Sequence, residues 1–168
     1  MFNKIDKLSK TEFIQVFGNI FENASWIAEK LYGQKPFKNF KDLSKKMIFI
    51  FEDSSNQTKL QIFNAHPDLA DRAKIGSLTP DSNKEQSDAK LDQCTKEEFN
   101  NFKNLNLKYK NKFGFPFIIA VKGKNKIEIL ANFKKRVMLD EQIELDEAIN
   151  QVKQIATLRL DELKNKFI

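Results

Sequence analysis

Apolar residues in this chain recur mostly at helical spacing. In "LSKTEFIQVFGNIF" (8–21), Phe13, Val16, Phe17 and Ile20 fall at i, i+3, i+4 and i+7, the stripe of an amphipathic helix. Ser9 and Glu12 stand in the relation of a capping box at its start. "ASWIAEKLYG" (24–33) predicts a second, short helix stopped near Gly33. "NFKDLSKKMIFIFEDS" (39–54) predicts a third, and "NQTKLQIFNA" (56–65) a fourth that runs into His66. Thr79 is placed to cap a further helix, with Pro80 at its first position. "CTKEEFNNFKNLNLKYKNKFG" (94–114) is the clearest helix of all. Thr95 and Glu98 form its capping box, Phe99, Phe102, Asn106 and Tyr109 run down one side, and Gly114 closes it. A last helix covers roughly 141–165, with Leu145, Ile149, Val152, Ile155 and Leu163 as its apolar stripe. One segment departs from this period. On propensity alone, "FPFIIAVKGKNKIEIL" (115–130) reads equally well as two strands joined at "KGKNK".

Composition sharpens the helical picture. Five glycines and four prolines are too few for the turns of a many-stranded sandwich or barrel. The 168 residues suit a single domain, and neither linker, repeat nor low-complexity tract divides them. Sixteen phenylalanines against two tyrosines and one tryptophan predict a core of Phe, Leu and Ile. The single cysteine, Cys94, allows no intrachain disulfide and reads as a small buried residue in a reducing compartment. No Cys/His set with zinc spacing occurs, so no metal site is expected.

The formal net charge is +6, but the lysines are spread along the whole chain, as on a solvated surface. The opening "MFNKIDKLSK" has charges where a signal peptide needs an apolar run. The closing "LKNKFI" lacks a peroxisomal tripeptide, and no apolar stretch approaches the 18 or so residues of a membrane span. The expectation is a soluble cytoplasmic protein.

Three constellations can carry chemistry. His66 is the only histidine, and an imidazole titrates near neutrality. Pro67 disfavours the α conformation at His66, so the preceding helix should end there and project the ring from its terminus. The alternative is an inert, hydrogen-bonded histidine at a helix end. On a helix begun at Thr79, Ser82, Glu85 and Gln86 share one face through i, i+3 and i+4 spacing. They are a polar site or an ordinary solvated face. Arg159 lies beside the apolar stripe of the last helix, where a guanidinium either pairs with a carboxylate or binds one from a ligand. No dinucleotide, P-loop, HExxH or GxSxG motif is present.

Taken in order, "HPDLA" (66–70), "SLT" (77–79), "SxxEQ" (82–86), "FGFPFI" (113–118) and "IAxLRL" (155–160) resemble the OHCU decarboxylase family. "EFIQVFGNIFENASWIAEKLY" (12–32), with Trp26, is similar to that family's opening helices. The resemblance implies an all-α, single-domain compact bundle of about eight helices over 1–168. It also implies a homodimer working without metal or organic cofactor on a small anionic ureidoimidazoline. The activity implied is decarboxylation of 2-oxo-4-hydroxy-4-carboxy-5-ureidoimidazoline to (S)-allantoin in urate degradation, with no role for nucleic acid or membrane. By motif match, His66 corresponds to the catalytic histidine, with Glu85 as its acid/base companion, and Pro67 shapes the pocket. Ser82 and Gln86 match the substrate-binding face, Phe117, Ile118, Ile119, Ala120 and Val121 the segment whose backbone meets the ring, and Arg159 the arginine facing the substrate's charge. The resemblance also replaces the hairpin at 115–130 with a pocket segment leading into a helix.

Two positions depart from the family pattern. Lys90 stands where glycine is frequent, and Leu139 stands where asparagine commonly follows the arginine matched by Arg136. Two other readings remain. One is a similar enzyme acting on a related substrate, since a shared pocket does not fix its ligand. The other is a basic helical module binding nucleic acid or protein through Lys122, Lys124, Lys126, Lys134, Lys135 and Arg136.

Overall fold

In the computed structural model of this chain, residues 2–69, 91 and 94–167 are described. Eight helices are found among them: α1 (Phe2–Asp6), α2 (Lys10–Phe17), α3 (Ser25–Tyr32), α4 (Phe40–Glu52), α5 (Asn56–Ala65), α6 (Lys96–Phe113), α7 (Lys126–Arg136) and α8 (Glu141–Phe167). No strand occurs among the described residues, so the fold class is all-α.

The helix boundaries have local causes. The Ser9 hydroxyl accepts from the Glu12 N–H while the Glu12 carboxylate accepts from the Ser9 N–H, which starts α2. Thr95 and Glu98 start α6 in the same reciprocal way. Each such cap contributes about 1 kcal/mol. Gly114 ends α6 in the left-handed region at φ 78°, where a side chain would be strained.

The described residues form two compact units. One takes the chain up to Ile62 and again from Val152; the other runs from Phe63 to Gln151. The core of the first is built on phenylalanine. Phe13 packs on Phe17 at 4.6 Å between centroids and on Phe37 at 6.1 Å, and Phe21 stacks on Phe51 at 5.0 Å. Ile27, Leu31 and Leu43 are fully buried in the same unit. In the second unit Tyr109 is the hub, with Phe113, Phe115, Phe117 and Phe133 around its ring at 4.6–5.9 Å. Burying one such ring contributes roughly 1.5–3 kcal/mol.

Two sequence expectations are corrected. The hairpin over 115–130 is absent: 116–121 makes no ladder, and Lys126–Arg136 is helix. The reason is local. Asn125 and Glu128 form a capping box, and Ile129 and Phe133 are an i, i+4 buried pair that strand geometry would place on one face with nothing else to match. The stripe expected on α8 is also displaced. Its buried line is Glu144, Ala148, Gln151, Val152, Ile155, Ala156, Arg159 and Leu160, while Leu145, Ile149 and Leu163 flank it half-buried.

Candidate active site

Helix α5 ends at Ala65, and the His66 N–H donates to the Phe63 carbonyl at 3.1 Å, a tightened last turn. Pro67 then denies the next turn its amide donor. His66 and Pro67 are half-buried, as a residue that must meet both protein and solute should be. Helix α6 holds this segment in place. The Asn106 side-chain amide donates to the Leu69 carbonyl at 3.2 Å, and Lys110 approaches Asp68 at 3.4 Å. Phe63, one turn before His66, is fully buried against Phe115 at 5.2 Å between rings.

The segment 117–121 is buried throughout, with its residues 1–6% exposed. Side chains hold it at Ile118 and Ala120, and the Val121 carbonyl accepts from the Lys124 N–H at 3.0 Å. The Arg136 Nη1 donates to the Ile118 carbonyl at 2.7 Å. The Ala120 N–H donates to Gln151 Oε1 at 2.9 Å, and Lys124 Nζ donates to the Ala120 carbonyl at 2.7 Å. Among the described residues, the amides of Ile119 and Val121 donate to no acceptor. Phe117 stacks on Phe133 at 3.9 Å, and the Arg136 guanidinium lies 4.4 Å over the Phe117 ring.

Arg136 is the centre of a buried polar knot. It meets Glu144 through Nε at 3.1 Å and Nη2 at 2.5 Å, and the Tyr109 hydroxyl donates to the same carboxylate. Glu144 is fully buried, so a second and third donor to its oxygens offset the loss of water. Burial, reinforced by the bond to Glu144, raises the Tyr109 phenol far above its ordinary range, and it stays protonated. Arg136 was visible in the sequence as a family-like arginine and as one cation of the basic run, not as the partner of a buried carboxylate. Glu144 and Tyr109 carried no signal, because the contact spans 35 residues and both look like helix-face positions.

Arg159 lies in the first unit and is 4% exposed. Its Nη1 and Nη2 each meet Glu22 Oε2 at 3.3 Å, and Nη1 also approaches the carbonyls of Asn19 and Ile20 at 3.2 and 3.3 Å. A carboxylate partner was one of the two expectations for this guanidinium; that it is Glu22 was not legible. Ser82, Glu85 and Gln86 lie outside the described residues, as do Thr79, Pro80 and Lys90. Leu139, the other departure, sits in a turn closed by its own N–H on the Arg136 carbonyl at 3.1 Å, and its carbonyl accepts from Lys112 Nζ at 2.7 Å.

The cations offered by "KGKNK" and "FKKR" are largely engaged. Lys124 holds Ala120, Lys126 pairs with Glu98 at 2.7 Å, and Arg136 is buried on Glu144. A basic binding face therefore loses three of its six charges. Among the described residues no three His, Cys, Asp or Glu side chains gather as metal ligands, and no helix is long and apolar enough to cross a membrane.

Comparison with known proteins adds the rest. Residues 6–161 match the family described as OHCU decarboxylase. A 2-oxo-4-hydroxy-4-carboxy-5-ureidoimidazoline decarboxylase of Haloferax volcanii is 36% identical over 159 residues, 95% of this chain and 93% of that protein. A uric acid degradation bifunctional protein of Bacillus sp. (strain TB-90) is 41% identical over 160 residues, and there the chain spans only 31% of the relative's length. Among solved structures, an (S)-allantoin synthase superposes with a TM-score of 0.77 at 28% identity, over 97% of this chain and 54% of that one. An OHCU decarboxylase crystallised in the presence of (S)-allantoin gives 0.71 at 25% identity, over 93% of this chain and 98% of that one.

Proposed function

Because the chain belongs to the OHCU decarboxylase family, it is a carboxy-lyase of urate degradation, and we propose that it converts 2-oxo-4-hydroxy-4-carboxy-5-ureidoimidazoline into (S)-allantoin with His66 and Glu85 moving the protons. The match over 6–161 carries this reading. In the reaction the bond to the carboxylate carbon breaks and carbon dioxide leaves. The electron pair passes into the ring towards the C5=N bond, the C4 hydroxyl gives up its proton as C4 becomes a carbonyl, and a proton then arrives at the ureido-bearing C5. A proton delivered from one fixed side sets the hand of the product.

His66 suits this chemistry because imidazole exchanges protons near neutral pH. Its place at the break after α5, half-buried and tied to α6 through the segment that follows it, supports the assignment. Glu85 orients the imidazole or handles the hydroxyl proton. Ser82 and Gln86 supply donors and acceptors to the ureido group, and Pro67 shapes the wall beside His66. Phe117, Ile118, Ile119, Ala120 and Val121 present backbone to the ring. Support for that last role is that buried amides at Ile119 and Val121 have no acceptor among the described residues, a costly state unless a ligand takes them. Arg159 faces the substrate's negative charge. Such donors, fixed before the substrate arrives, stabilise the charge that develops as carbon dioxide departs. The same reading makes 1–168 one decarboxylase domain, in a cytoplasmic homodimer that needs no metal or organic cofactor.

The test is to generate the unstable substrate from urate with uricase and hydroxyisourate hydrolase, and to follow the product by circular dichroism. The expected result is faster loss of the intermediate and an excess of the S enantiomer. Racemic product at the uncatalysed rate would contradict the reading.

A further inference from the structure

We infer that Gln151, with Arg136 and Lys124, is a positioning device that stands in for a neighbouring β-strand along one edge of the segment 117–121, so that its other edge is presented to substrate. The inference rests on the proposed function, in which that segment meets the substrate ring. In an extended chain, successive residues turn their backbone polar groups to opposite edges. Three groups are held by side chains and belong to Ile118 and Ala120, two residues apart: the Ile118 carbonyl by Arg136, the Ala120 N–H by Gln151, and the Ala120 carbonyl by Lys124. The Val121 carbonyl closes a turn by accepting from the Lys124 N–H at 3.0 Å. Among the described residues the amides of Ile118, Ile119 and Val121 donate to no acceptor, and two of the three, those of Ile119 and Val121, belong to the alternate edge.

A strand pairs its edge with another backbone; along the edge of Ile118 and Ala120 this segment uses three side chains instead. Gln151 is the informative member. It is 9% exposed on the buried line of α8, where an apolar residue would pack as well. Its orientation is fixed at both ends. The Ala120 N–H needs an oxygen, and Glu147 Oε1 accepts from Gln151 Nε2 at 2.7 Å. A carboxamide so anchored sets the plane of the peptide before Ala120, and with it the direction of the neighbouring amides. Because it carries no charge and does not titrate, its removal should loosen binding without altering proton transfer.

The experiment compares the full chain with Gln151→Met, with the paired exchange Glu147→Gln plus Gln151→Glu, and with Ile129→Val as a packing control in the same unit. The paired exchange keeps an oxygen for Ala120 and reverses only the bond to position 147. Backbone amide exchange is read by NMR with and without (S)-allantoin, and KM, kcat and the pH–rate profile are read on the generated substrate. In the unaltered chain (S)-allantoin should slow exchange at Ile119 and Val121. Gln151→Met should raise KM by about tenfold, the scale of one lost positioning bond, with a smaller change in kcat. Its pH–rate profile should keep its shape, and the Ala120 amide should exchange faster. The paired exchange should recover most of the KM, and Ile129→Val should leave it within about twofold. A folded Gln151→Met protein with unaltered KM, or a paired exchange as impaired as the single variant, would overturn the inference while decarboxylation stands. Absence of catalysis in the unaltered chain would instead overturn the functional reading, and the exchange data on (S)-allantoin would still decide whether the free edge binds the ring.

Discussion

Two buried arginines in this molecule meet buried carboxylates at different distances. Arg136 closes on Glu144 at 2.5–3.2 Å, shares that carboxylate with Tyr109, reaches the Ile118 carbonyl and stacks on Phe117. Arg159 meets Glu22 at 3.3 Å from two nitrogens onto a single oxygen, with two backbone carbonyls no closer than 3.2 Å. The first is a short, forked contact with several donors converging on one carboxylate, which favours rigidity. The second is longer and shares one carboxylate oxygen between two nitrogens. The two are equally buried and each makes several polar contacts; the lengths of those contacts differ.

That contrast can be broken at either end. The largest expected effect is on Glu144→Ala, which leaves a buried guanidinium unpaired. It should cost about 3–5 kcal/mol in denaturant unfolding. A loss below about 1 kcal/mol would show that the knot is not the anchor described. Arg159→Met should raise KM for the anionic substrate about 10- to 100-fold, the worth of one charge-assisted bond, and, because it takes the guanidinium from the buried Glu22 carboxylate, should also lower stability, while the Arg136 site stays intact. Unchanged KM would make Arg159 as structural as Arg136. Tyr109→Phe should cost about 1–3 kcal/mol, since it removes a bond to a buried carboxylate and keeps the ring packing; thermal unfolding reads it.

The smallest effect is at the surface. The Lys126 ammonium beside Glu98 holds that carboxyl below the usual glutamate range, with the Thr95 N–H adding to it. A carboxyl depressed by folding stabilises the fold fully above its ordinary value and loses that contribution as pH falls through the lowered one. Lys126→Met should therefore flatten the acid limb of the stability curve slightly, and an unchanged limb would show the pair to be idle, as many exposed pairs are.

How much of this was legible in the sequence depended on the range of the interaction. Signals local to a few residues were clear: the Ser9–Glu12 and Thr95–Glu98 boxes, the Gly114 stop and the break at His66–Pro67 all stand where spacing placed them. The run "FPFIIAV" misled because β-branched residues favour an extended backbone, and the segment is indeed not helical; what it lacks is a second strand, and its partners are side chains from 124, 136 and 151. The last helix misled for a related reason. Reading apolar residues alone cannot find a buried line that includes Glu144, Gln151 and Arg159, each of which is compatible with the core only through a partner distant in sequence. Of the site itself, the motifs pointed to His66, to the segment 117–121 and to Arg159, and Ser82, Glu85 and Gln86 lie outside the described residues.

The role of the lone imidazole is tested most directly by His66→Asn, assayed for (S)-allantoin by circular dichroism on the freshly generated substrate. Asparagine keeps a polar side chain of similar size at the end of α5 but cannot exchange protons near neutral pH. The account predicts a folded protein whose kcat/KM falls by about 10²- to 10⁴-fold, with the histidine-like limb gone from its pH–rate profile. A variant that retains near-full activity and still yields the S enantiomer would contradict it.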